Sequence, residues 1–128
     1  MPHPQSSRWI LAAAGALLAA ATILGALGAH ALPARLPPER LRVFDTAVRY
    51  HFYHALGLLA VGLAARAIDS SLVRWAAALI IAGIVLFSGS LYALSFGAPR
   101  GLGIVTPAGG VLLIAAWILF AAGALRAG

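Results

Sequence analysis

The chain has 128 residues, 62% hydrophobic and only 9% charged, with a formal net charge of +6 and no cysteine. That composition lies far from the soluble globular average, so lipid is the expected solvent, and the apolar runs leave no room among these residues for a separate soluble catalytic domain. Disulfides, thiolate metal sites and redox thiols are excluded with the cysteines, and because the nine basic residues, all arginine, are dispersed between apolar runs, their charge points to anionic lipid headgroups rather than nucleic acid.

Met1 to Ser7 reads as a short polar, disordered tail. A first membrane span is predicted at about 9–31. Arg8 ahead of it and Ala29-His30-Ala31 at its end imitate a signal peptide, but the apolar run exceeds the roughly 7–15-residue core of such a signal. The segment is expected to be retained. Gly25 and Gly28 lie near its end, where small residues let helices approach closely in lipid.

Three prolines between Leu32 and Glu39 exclude a continuous helix there. Pro38 then suits a first helical turn, with Glu39 near the positive end of the helix dipole. Over about 38–49 the segment is amphipathic, and a helical reading gathers Arg42, Asp45 and Arg49 on one side. Asp45 stands four residues before Arg49, the favoured order for an interfacial ion pair. The second span is predicted at about 44–66.

Arg66 and Asp69-Ser70-Ser71 form a polar turn, followed by Arg74 and Trp75 as interface anchors. A third span is expected at about 73–96, ended by Gly97-Ala98-Pro99-Arg100-Gly101. The fourth, at about 104–125, starts at Thr106-Pro107, with threonine as cap and proline in first helical position. The predicted fold is therefore all-α: an integral membrane bundle of four transmembrane helices, one domain over 1–128, with an interfacial amphipathic helix before the second span.

Four alternating spans collect the polar residues at one membrane face. His30 closes the first span; Thr46, Tyr50 and His54 enter on the second; Ser88, Tyr92 and Ser95 leave on the third; Thr106 opens the fourth. Spacings of three and four make each set a stripe, so a polar pocket or plug formed by His30, Thr46, Tyr50, His54, Ser88, Tyr92 and Thr106 is expected there. Gly89, Gly109 and Gly110 join Gly25 and Gly28 as expected helix-packing positions. The plainer reading is that these polar groups hydrogen-bond helix to helix. His51 and His54 are three apart and His30 is within reach, but only Asp45 accompanies them as a carboxylate. No metal and no cofactor is expected, and no third group orients a histidine toward Ser88 or Ser90 for hydrolysis.

Gly25-Ala26-Leu27-Gly28-Ala29-His30, Thr46…Tyr50…His54, Phe87-Ser88-Gly89-Ser90-Leu91-Tyr92 and Thr106-Pro107-Ala108-Gly109-Gly110 stand in one order along the chain. In that order and spacing the sequence resembles the YgdD/YwdK-like family of small inner-membrane proteins, a domain of unknown function. The resemblance covers nearly the whole chain. It implies a four-span protein of the bacterial inner membrane without an established enzymatic activity or cofactor, and it singles out His30, Thr46, Tyr50, His54, Ser88, Tyr92, Thr106, Pro107 and Gly110. His51 matches less clearly, because the family pattern there tolerates other polar residues.

The functional reading is a non-enzymatic membrane subunit, scaffold or modulator acting through membrane lipids, other membrane proteins or self-association. A small-molecule or ion conduit in an oligomer ranks second. A haem- or metal-binding redox subunit using His30 and His54 ranks third. Arg35, Arg40, Arg42, Arg49 and Arg100 fall on one face and Arg8, Arg66, Arg74 and Arg126 on the other, so the arginine count does not choose an orientation.

Overall fold

The computed structural model describes residues 4–126, and what it describes is built from helices. Four are long: α1 Pro4–His30, α2 Pro38–Ala64, α3 Ser71–Ser95 and α4 Val105–Arg126. Short 3-10 turns at Leu32–Ala34 and Arg100–Ile104 lead into α2 and α4. Three segments, Ser7–His30, Ser71–Ser95 and Arg100–Arg126, are long and apolar enough to cross a membrane. At 27 residues α2 is as long as α1, but its first half carries Glu39, Arg40, Arg42, Asp45 and Arg49.

The helix limits follow local chemistry. α1 starts at Pro4, five residues ahead of the predicted span; proline there has its φ already set for a first helical turn. Of the tail expected over Met1 to Ser7, the first three residues lie outside those described. Extended Pro37 sets up Pro38 in the first turn of α2, with Glu39 beside it. The amphipathic stretch and the second apolar run form one unbroken helix rather than two. The Ser70 side chain caps α3 by accepting from the Leu72 N–H at 3.2 Å. At the α4 start the expected threonine cap gives way to a helix that begins at Val105, with Thr106 and Pro107 already inside its first turn.

Gly97 closes α3 at φ 96°, with its own N–H on the Leu94 carbonyl and the Ala98 N–H on that of Ala93. This is the paired arrangement in which a left-handed glycine satisfies the last carbonyls of a helix. Gly97→Ala is expected to lower stability by about 1 kcal/mol, read as a shift in the unfolding midpoint in detergent; an unshifted midpoint would show that the turn tolerates a Cβ.

Each helix packs on its neighbours in sequence: α1 on α2, α2 on α3, α3 on α4, while α1 and α4 do not form a packed pair. Small residues set the approaches. Gly28 lies under the Phe44 ring, Gly62 against Ile10 and Leu11, and Gly83 against Leu113. The purely apolar core, with Ile10, Leu58, Val61, Val73, Ile80 and Leu113, fills the half of the bundle that holds the α2–α3 turn. The other half holds the aromatic and hydroxyl groups.

Candidate functional site: the aromatic and hydroxyl half of the bundle

The face of α2 that meets α3 is set by Phe44, Ala47, His51, Ala55 and Leu58, all buried at three- and four-residue spacing. Phe44 packs against Tyr92 of α3 and Phe96 just past its end, with ring centroids 5.2 and 5.9 Å away. Two turns on, His51 Nδ1 and the Tyr92 hydroxyl are hydrogen-bonded at 2.8 Å. The buried Ser88 hydroxyl donates to the Ala47 carbonyl across the same interface at 2.8 Å. On the far side of His51, Nε2 is buried without a hydrogen bond.

The α3–α4 contact is tied by Ser90 and Thr106, hydroxyl to hydroxyl at 2.5 Å, and Ser90 also reaches the Phe87 carbonyl. Ser95 turns back to the Tyr92 carbonyl of its own helix. Gly109 sits directly on the α3 backbone at Phe87, where no Cβ fits.

The stripe of Thr46, Tyr50 and His54, expected to face α3, lies beside the buried α2–α3 seam rather than in it, with Tyr50 alone packing on α3 through Phe87. Thr46 donates to the Arg42 carbonyl at 3.1 Å and His54 Nδ1 donates to the Tyr50 carbonyl at 2.9 Å, both four residues back in their own helix. Polar groups satisfied in this way need no partner helix. His51, which the family resemblance matches less clearly, takes the inward place instead. The signal for it was its register with Phe44, Ala47, Ala55 and Leu58.

Tyr50 and His54 line a groove that opens beside α2, α3 and α4. Its walls are the rings of Tyr50, His54, Phe87 and Trp117, with Gly110 and Leu113 between them, and its volume is about 200 Å³. Tyr50 stacks nearly parallel to His54 and packs 4.9 Å from Phe87, centroid to centroid. Trp117 lies 6.1 Å from His54 and covers Gly57.

Other expected site residues stand apart. His30 is exposed at the end of α1 and makes none of these bonds. Asp45 and Arg49 are both exposed and do not pair, since Asp45 leans toward Gly28 of α1; the ion pair among the described residues joins Arg74 to Asp69 at 3.3 Å. Gly25 makes ordinary contact with Val48 and Phe52, Gly110 does so with Phe87, and Gly89 faces open space instead of packing. Among the described residues no three histidine, aspartate or glutamate side chains gather as a metal site would need.

Tyr92→Phe leaves His51 Nδ1 without its partner. The expected loss is about 1 kcal/mol, within the range of interhelical hydrogen bonds in membrane bundles. A double-mutant cycle with His51→Leu, followed by SDS unfolding, should return a non-zero coupling energy. Strict additivity would show that the two side chains do not depend on each other.

The family described as "Protein of unknown function (DUF423)" matches residues 24–110. The chain is 48% identical over 118 residues to the membrane protein YwdK of Bacillus subtilis strain 168, covering 91% of this chain and 94% of that protein. It is 43% identical over 117 residues to a membrane protein of Staphylococcus saprophyticus, covering 91% and 95%. To the inner membrane protein YgdD of Escherichia coli K12 it is 37% identical over 103 residues, covering 80% and 79%. No solved structure matches the chain. The family match includes Phe44, His51, Ser88, Tyr92 and Gly109.

Proposed function

Since this chain belongs to the DUF423 family of proteins of unknown function, we propose that it is a non-enzymatic scaffold or subunit of the bacterial inner membrane, crossing the bilayer four times. The observation that carries the scaffold reading is how the inward polar groups are used. His51, Tyr92, Ser88, Ser90 and Thr106 are spent on bonds that fasten α2 to α3 and α3 to α4. The outward faces carry Ile23, Leu56, Leu63, Val85, Val111 and Ile118, large apolar side chains suited to lipid or to a neighbouring helix.

The fourth crossing is argued from pairing. α2 touches α1 near both of its ends, Phe44 on Gly28 and Gly62 on Ile10, so a bilayer crossed by α1 is crossed by α2 as well. The first turns of α2, with Arg40 and Arg42, then stand at headgroup level as the charged start of the span.

The natural absence of cysteine makes the test direct. Single cysteines at Ala34, Ala67 and Gly101 are labelled with a membrane-impermeant maleimide. Ala34→Cys and Gly101→Cys should react from one side and Ala67→Cys from the other; labelling of all three from one side would remove the four-span topology. For the scaffold role, gentle detergent purification from native membranes should return a partner in fixed ratio, and recovery of this chain alone would count against it.

A further inference from the structure

We propose that the groove between α2 and α4 is a binding site for one acyl chain of an anionic phospholipid, whose phosphate is held by Arg49. The inference rests on the membrane-spanning reading above.

The groove's own chemistry selects hydrocarbon. At about 200 Å³ it is smaller than a site for a whole small molecule, roughly 300–1,000 Å³, and its lining is almost wholly apolar. Tyr50 and His54 stand 12° from parallel, as a flat wall. The bond from His54 Nδ1 to the Tyr50 carbonyl fixes that ring in place. Gly110 leaves open the space a larger residue would fill.

Charge selects the headgroup. Arg35, Arg40, Arg42 and Arg100 stand at the end of the bundle where α2 begins and α3 ends, and Arg49 stands near mid-helix at the level of the groove; all are exposed, and none is in an ion pair among the described residues. Arg49 directly precedes Tyr50 and stands one turn before Tyr53, whose ring packs edge-on to Tyr50. A guanidinium there can rise along α2 to headgroup level and take a phosphate with two parallel N–H bonds while the chain lies below it.

Trp117, in the groove wall, reports occupancy once Trp9 and Trp75 are replaced by phenylalanine. The protein is reconstituted in phosphatidylcholine vesicles carrying equal mole fractions of acyl-brominated phosphatidylglycerol or acyl-brominated phosphatidylcholine. The expected result is an apparent affinity for the glycerol lipid about fivefold higher, the equivalent of one arginine at an anionic surface at about 1 kcal/mol. Arg49→Gln should bring the two lipids together, and Gly110→Leu should reduce quenching by both, with its helical signal unchanged. Equal quenching by the two lipids, unaltered by Arg49→Gln, would overturn the lipid site while leaving the spanning reading intact. Quenching by neither, with Ile114→Cys forming a disulfide between copies, would put a second copy in the groove and overturn the proposal. Quenching by neither without that disulfide would place Trp117 outside hydrocarbon and sink both readings.

Discussion

Phe44→Ala is expected to cost about 3 kcal/mol, the low end of the range for truncating a buried phenylalanine. Phe44, on α2, is fully buried and joins three helices at once: it covers Gly28 of α1 and packs on Tyr92 of α3 and on Phe96 just past its end. In lipid the loss is one of packing rather than of dehydration, because acyl chains are as apolar as the ring. The effect should show as a lower unfolding midpoint in detergent, with Phe52→Ala, at a half-buried ring against Gly25, shifting it less. Equal shifts for the two would mean that Phe44 is not the joint between α1 and α3.

Gly109→Leu should be at least as damaging, at about 3 kcal/mol for overpacking that cannot relax. A Cβ at Gly109 would lie 2.8 Å from Phe87 Cα and 2.9 Å from the Leu86 carbonyl carbon. Backbone atoms cannot turn aside, so α3 and α4 must separate, and the Ser90–Thr106 bond goes with them. Gly110→Ala is the control. Its Cβ meets the Phe87 ring at an ordinary 3.7 Å, and a change within about 0.5 kcal/mol is expected. If the two neighbours respond alike in SDS unfolding, the close approach of α3 and α4 at Gly109 is not what holds them.

The all-α class and the long apolar segments were legible because lipid demands long uninterrupted runs with internally bonded backbone. The segment limits were less so. Pro4 and the 3-10 turn before Val105 extend helical structure through stretches whose composition read as tail or loop. On α2 the buried face runs through Phe44, Ala47, His51, Ala55 and Leu58, beside the polar stripe rather than along it. Thr46, Tyr50 and His54 attract attention as a polar stripe, yet the Thr46 hydroxyl and His54 imidazole return to the carbonyl four residues back, and it is the rings of Tyr50 and His54 that meet Phe87 and Trp117. His51, flanked by aromatic residues, looked less distinctive, although the register of Phe44, Ala47, Ala55 and Leu58 carries it inward. Sequence alone cannot rank these, because burial is decided by which face the neighbouring helix takes.

The serial packing of α1 on α2, α2 on α3 and α3 on α4 bears on how the protein is made. Each helix meets its principal partner immediately before or after it in the chain, so loop closure between partners is short and its entropic cost small. A newly synthesised α2 can settle on α1 before α3 emerges, and α4 finds its principal partner in α3, which has just preceded it. Assembly can therefore proceed from the amino terminus onward, one helix at a time, with no segment left waiting for a distant partner.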